Sequence, residues 1–184
     1  MIFNKHFDIE GKHALLSPSQ YHWLNYTEEK LVDRYYNWKA AERGTRIHAL
    51  AAELIAEGIK LPRTNQTHNM YVNDGIGFKM QPEQPLKYSE NCFGTADTII
   101  FKNNLLRIHD LKTGVTPASM KQLEIYAAIF CLEYNYKPTE IEMELRIYQN
   151  DEKIIHKPES EEIFVIMDKI IFSDKLITEL KEKE

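Results

Sequence analysis

Hydrophobic and polar positions along the chain recur with two different periods, and those periods predict its elements. Ile47, Leu50, Ala51, Leu54 and Ile55 fall at i, i+3, i+4, i+7 and i+8, an amphipathic helix over residues 46–57 that Gly58 and Pro62 close. Upstream, Leu31, Tyr35 and Trp38 mark a helix over residues 27–42, which Gly44-Thr45 breaks or bends. Ser17-Pro18-Ser19 reads as the entry to a still earlier helix, with Ser17 as cap, Pro18 at the first helical position and Gln20 completing a capping box. Residues 1–16 read as a short strand or arm. Met70, Val72, Ile76 and Phe78 alternate loosely around Asp74-Gly75, which predicts a hairpin or bent strand over residues 64–80. Pro82 and Pro85 make residues 81–87 a loop.

The clearest period-two signal is the pair of runs at residues 93–102 and 105–113, separated by Asn103-Asn104. Asn tolerates positive φ, so the two asparagines predict a tight hairpin turn. Lys102 then pairs with Leu105, Ile99 with Ile108, and Asp97 faces Asp110. A helix follows from about Pro117 to Asn135, with Met120, Leu123, Ala127, Phe130, Cys131 and Tyr134 on one stripe. Residues 141–148 alternate as a half-exposed strand, Asn150-Asp151 turns, and residues 153–157 form a short partner strand. The acidic run after Pro158 opens a last helix, whose apolar side carries Ile163, Ile166, Met167, Ile170, Ile171 and Leu176. This order of elements predicts an α/β protein: a single domain over residues 1–184, with a mixed central β-sheet flanked by helices.

The facing of Asp97 and Asp110 brings in chemistry. Like charges directly opposite on paired strands are destabilising, so the pair implies a positive charge between them. Two adjacent carboxylates are the usual oxygen ligands of Mg²⁺ or Mn²⁺. Lys112 lies two residues beyond Asp110, on the same strand face, with Ile99, Phe101, Leu106 and Ile108 as an apolar floor. The alternative is a surface hairpin whose Asp and Lys form a weak ion pair; the apolar floor favours a buried face. Gln122 and Tyr126 stand at i and i+4, where two polar side chains reach one partner.

Composition narrows the class. The chain has 184 residues, 43% hydrophobic and 28% charged, which suits a folded domain with a sizeable core. No apolar run reaches the length of a membrane span, and the first residues lack a signal-peptide core, so the expected location is the cytoplasm and no membrane partner is expected. Two cysteines, Cys92 and Cys131, fit a reducing compartment and exclude a four-cysteine zinc site or an iron–sulfur cluster held by this chain alone. The seven histidines show no paired spacing for a zinc hydrolase. A net charge of -5 argues against a surface coated in positive charge, yet allows a basic cleft.

GTRIH at residues 44–48, GTAD at 94–97, DLK at 110–112 and QLEIY at 122–126 occur in that order. Together they resemble the PD-(D/E)XK nuclease superfamily, in its RecB-like branch, which also holds phage lambda-type exonucleases and CRISPR-adaptation nucleases. LSPSQYHWL at residues 16–24 resembles the leading helix of phage-borne members. The resemblance implies a restriction-endonuclease-like core and a set of roles. His48 would bind or border the metal. Asp97, Asp110 and the carbonyl of Leu111 would be ligands of Mg²⁺ or Mn²⁺. Lys112 would position or activate water, and Gln122 and Tyr126 would support Lys112 and the scissile phosphate. A further acidic residue is common in the family; Glu53 is a weak candidate here. Arg43, Arg46 and Lys121, with Ser17 and Ser19, are candidates for DNA phosphate contacts.

The implied activity is metal-dependent hydrolysis of DNA to 5′-phosphate and 3′-hydroxyl ends. The expected role is that of an exonuclease in phage or bacterial recombination or repair, in the host cytoplasm if phage-encoded. A structure-specific endonuclease shares every motif, and a non-catalytic DNA-binding or scaffold protein that kept the fold is the alternative from another class. DNA is the expected partner, with a recombination or single-strand-binding protein, or further copies in a homo-oligomer, as sources of positive surface.

Overall fold

The computed structural model describes residues 14–183; residues 1–13, part of the expected arm, lie outside it, as do His6 and His13. The described residues fall into two compact units, residues 14–45 and 46–183. In the first unit, Pro18–Asn25 is a 3₁₀ helix kinked at Gln20, not the capped α-helix expected. Pro18 does occupy its first turn, but the Ser17 hydroxyl caps nothing and pairs with Ser19 Oγ at 2.9 Å. Trp23 Nε1 donates to the Ser17 carbonyl, and Arg34 donates to Leu15 O and to Gln20 Oε1.

Helix α1 runs Glu28–Glu57, so the two helices expected either side of Gly44-Thr45 are one. A single glycine costs a helix only about 1 kcal/mol, and Thr45 turns its hydroxyl back onto Ala41 O at 3.2 Å.

Residues 46–184 hold the whole sheet. Helix α2 (Thr67–Phe78) precedes strands β1 (Gln81–Ser89), β2 (Cys92–Lys102) and β3 (Leu105–Leu111). Helix α3 (Lys121–Tyr134), strands β4 (Glu142–Gln149) and β5 (Glu152–His156), and helix α4 (Ser160–Lys181) follow. The five strands lie in chain order, all neighbours antiparallel except β3 and β4. That parallel pair needs a crossover, and α3 supplies it. The sheet is mixed and flanked by helices, as the periods predicted.

The β2–β3 hairpin has the expected register: Lys102 pairs with Leu105 and Ile99 with Ile108. Asn103 and Asn104 take φ of 51° and 58°, and Asn150 and Asp151 take 52° and 59°, so both hairpins turn on two left-handed residues. Glu162 reaches back to the Glu159 N–H and starts α4 as a capping box.

Three expectations are corrected. Residues 67–78 form helix α2 instead of a hairpin. Tyr71 and Val72 bury against Ala51, Ile55, Leu111 and Tyr148, and that packing outweighs the turn signal. Gly75 is there for close approach: a Cβ would meet Ile55 Cδ1 at 2.8 Å. Residues 81–87 belong to a strand, because β1 is a sheet edge and an edge tolerates Pro82 and Pro85. Strand β4 is buried on both faces, not half exposed. Met143, Leu145 and Ile147 pack with Leu123, Ala127 and Phe130 of α3 and with Ile163 of α4, while Tyr148 packs with α1 and α2 on the other side.

Candidate metal and phosphodiester site

The β2–β3 ladder stops at Thr98–His109. One step further, Asp97 and Asp110 do not form a paired rung. Instead Asp97 Oδ2 accepts the Leu111 N–H at 2.9 Å, which ties its carboxylate across the parting strands. The same oxygen lies 3.3 Å from His48 Nδ1, on α1. His48 is raised above its ordinary value chiefly by this contact with Asp97, with burial opposing and Asp110 and Glu83 adding.

Asp110 is buried, 3% exposed, at the end of β3. Lys112 Nζ donates to its Oδ1 at 3.0 Å and to Gln122 Oε1 at 2.7 Å, so one ammonium links the strand acid to α3. Asp110 Oδ2 is fully buried and accepts no hydrogen bond, although the Lys112 charge lies 3.0 Å away. Burial, then the Asp97 charge, hold the Asp110 carboxyl above its ordinary value against Lys112 and His48. One turn along α3, Tyr126 donates to Thr95 O at 2.7 Å and packs on Gly94, where a Cβ would sit 3.0 Å from its ring.

Two further groups belong here and were not found from the sequence. The β1–β2 register pairs Pro82 with Thr98 and Gln84 with Ala96, which sets Glu83 opposite Asp97. Its φ of 48° marks the local distortion at that rung. Partial burial, then Asp97, push the Glu83 carboxyl up, and His48 opposes them. Glu83 escaped notice because Pro82 and Pro85 disguised its strand as a loop. Glu53, the candidate named instead, is exposed on α1 and does not figure among the charges acting on His48 or Asp110. The second group is the phenol of Tyr71, 2% exposed; burial and then Asp97, Asp110 and Glu83 keep it neutral.

Leu111 adjoins the Asp97–Asp110 pair through its backbone, its N–H donating to Asp97 Oδ2 at 2.9 Å, while its side chain is buried in the core with Tyr71 and Tyr148. Lys121 is exposed and pairs with Glu124 at 2.6 Å. Ser17 is half-buried and Ser19 and Arg43 are exposed, all three in the first unit; Arg46 is exposed on α1 in the second.

The donor set is Asp97, Asp110 and Glu83 with one imidazole, His48. Carboxylate oxygens of this kind suit Mg²⁺ or Mn²⁺; the buried Oδ2 of Asp110 accepts no hydrogen bond and has the Lys112 ammonium 3.0 Å away. Another cluster is tighter: Glu124, His156 and Glu162 bring one donor each within 4.8 Å of one another. Its acids are already committed, Glu124 Oε2 to Lys121 and Glu162 Oε2 to the Glu159 N–H, so it reads as an ion-paired joint between α3, β5 and α4.

A family model described as a protein of unknown function, DUF2800, matches residues 79–159. That stretch includes Glu83, Asp97, Asp110, Lys112, Gln122 and Tyr126, but not His48. No curated protein matches the chain in the comparison.

Proposed function

We propose that this protein is a divalent-metal-dependent DNA nuclease of the PD-(D/E)XK type, acting as an exonuclease in phage or bacterial DNA recombination or repair. One observation carries the reading: the Lys112 ammonium bridges buried Asp110 and Gln122 beside the Asp97–His48 pair. Four separated sequence motifs thereby converge on one spot, with more acid than its own cations satisfy.

Asp97 and Asp110 would hold Mg²⁺ or Mn²⁺, with Glu83 and His48 at its border. Bound there, the ion supplies Lewis acidity and lowers the pKa of a coordinated water. The protein's own groups do the rest. Lys112 directs a water at phosphorus and offsets charge growing on the phosphate oxygens. Gln122 fixes Lys112 through its side-chain carbonyl, so the ammonium is preorganised. Tyr126 fixes the Thr95 backbone and so the strand that carries Asp97. Attack of water forms a P–O bond as the bond from phosphorus to O3′ breaks. The leaving oxygen takes up a proton, giving 5′-phosphate and 3′-hydroxyl ends.

The test is incubation with Mg²⁺ or Mn²⁺ and either end-labelled linear DNA or covalently closed circular DNA, beside Asp110→Ala. Release of nucleotides from linear DNA alone supports the exonuclease. Nicking of the circle makes the enzyme an endonuclease. No cleavage by the wild-type protein, or equal cleavage by D110A, overturns the reading.

A further inference from the structure

Helix α4 has two apolar sides, and the core uses one of them. Ile163 is fully buried there, with Met167 and Ile170 packed on the same cluster. Val165, Phe172, Leu176 and Leu180 lie at i, i+7, i+11 and i+15. At about 100° per residue they form a stripe about 80° wide on the far side of the helix. Each of the four is between 47% and 69% exposed. A surface helix needs one apolar face to join its core. A second one left in water marks a face that meets something.

The charges beside the stripe say what it meets. Asp168 and Lys175 are exposed on one flank, before and after Phe172 along the helix. Among the described residues no cation pairs with Asp168, while Lys175 comes only to 4.0 Å from Glu179. On the other flank the Lys169 ammonium lies 5.6 Å from the centre of the Phe172 ring, so its aliphatic stem widens the apolar surface. This arrangement is self-complementary. When two copies of a helix pack antiparallel about a two-fold axis, each flank meets the same flank of its mate, run in reverse. With the axis at Phe172 and a rise of 1.5 Å per residue, Asp168 comes level with Lys175 of the second copy to within about 1.5 Å. The reciprocal pair forms as well. Phe172 meets its own counterpart, and Val165 comes level with Leu180 of the second copy to within about 1.5 Å. In a parallel pair the Lys175 flank would meet the Lys169 flank instead, where Ser173 and Leu180 offer no acid.

We propose that this chain pairs with a second copy of itself through the exposed stripe of α4, the two helices antiparallel and centred on Phe172, with Asp168 and Lys175 setting their register. The inference stands apart from the nuclease reading. Four apolar side chains a copy are fewer than a permanent interface carries, so the dimer is a weak one that forms as concentration rises.

The experiment is sedimentation velocity of the full chain over about a hundredfold range of concentration, which spans the transition of a weak dimer. It compares wild type, Phe172→Glu, Asp168→Lys, Lys175→Asp and an equimolar mixture of the last two. All three positions lie on the surface, so the variants keep the fold. Wild type is expected to pass from monomer to dimer, and Phe172→Glu to stay monomeric throughout. Asp168→Lys and Lys175→Asp each set like charges opposite one another and should dimerise about tenfold more weakly or worse. Their mixture restores both pairs in a heterodimer and should regain the wild-type affinity. A wild type that stays monomeric leaves the stripe to another partner or to solvent and overturns the proposal. So does a dimer that Phe172→Glu leaves untouched, a mixture no tighter than its components, or an assembly larger than two.

Discussion

Two clusters of charge sit on the same sheet and are built on opposite terms. Between β3, β4, β5 and α2, Glu144 Oε1 accepts from Arg107 at 2.9 Å and from Arg146 at 2.7 Å. Asp74 Oδ2 takes Arg146 and Lys153, each at 3.0 Å, and the Tyr148 hydroxyl at 2.6 Å. Both guanidinium groups lie over the Phe78 ring, 4.5 and 4.7 Å from its centre. Burial alone would raise both carboxyls, but the surrounding donors and cations bring Asp74 and Glu144 below their ordinary values. At the β2–β3 end the balance is reversed. Lys112 pairs with Asp110 and His48 with Asp97, no ion pair joins Glu83 to either cation, and Asp110 and Glu83 are pushed upward. A network that completes itself specifies and holds the fold. One that leaves acid in excess carries repulsion that the proposed metal ion would relieve.

The largest test of this contrast is kinetic. Lys112→Ala should lower metal-dependent cleavage by about a thousandfold or more, with far-UV circular dichroism unchanged, since Lys112 serves the site and not the core. Next is stability. Arg146→Met strands Asp74 and Glu144 with a reduced set of partners and should destabilise the protein by about 3–5 kcal/mol, read from urea unfolding. A variant as stable as wild type would show the network to be dispensable.

The pH dependence separates the clusters by sign. Asp74 and Glu144 titrate lower in the folded state than their ordinary 3.8 and 4.5. Their contribution is therefore present above those values and lost as pH falls through the lower, folded ones. Unfolding free energy should drop steeply below about pH 4, and Glu144→Gln should flatten that slope. Asp110 runs the other way. Its folded value is raised, so the charged form penalises the metal-free protein at neutral pH, and the penalty grows as pH rises through that value. Asp110→Asn should stabilise the metal-free protein at pH 7 by up to about 1 kcal/mol, a shift of roughly 2–4 °C in melting temperature, while abolishing cleavage. A lower melting temperature would mean that Lys112 already compensates Asp110 in full.

Much of the fold could be read from local pattern. The Asn103-Asn104 and Asn150-Asp151 turns, the register of the β2–β3 hairpin and the start of α4 all follow from residues within a few positions of one another. The candidate site was legible in part: short-range periodicity put Asp97, Asp110 and Lys112 on one hairpin and Gln122 and Tyr126 at i and i+4 on the next helix, while only the family resemblance joined the two groups. Glu83 was not legible. Its strand carries two prolines, and only its place at the sheet edge lets such a segment pair. Helix α2 was missed for a related reason, because its Asp74-Gly75 turn signal was overruled by the need for Gly75 to let Ile55 approach.

By itself the sequence determined the alternation of strand and helix, the two tight turns and the presence of acids on adjoining strands. Steric preference and side-chain period act over a few residues and need no knowledge of distant partners. Tertiary structure alone decided that β4 is buried on both faces, that Arg146 and Asp74 pair across 72 residues, and that Gln149 grips the loop beyond Lys112. Each of these depends on which surfaces meet once the chain closes on itself, and burial then sets the strength of every charge involved.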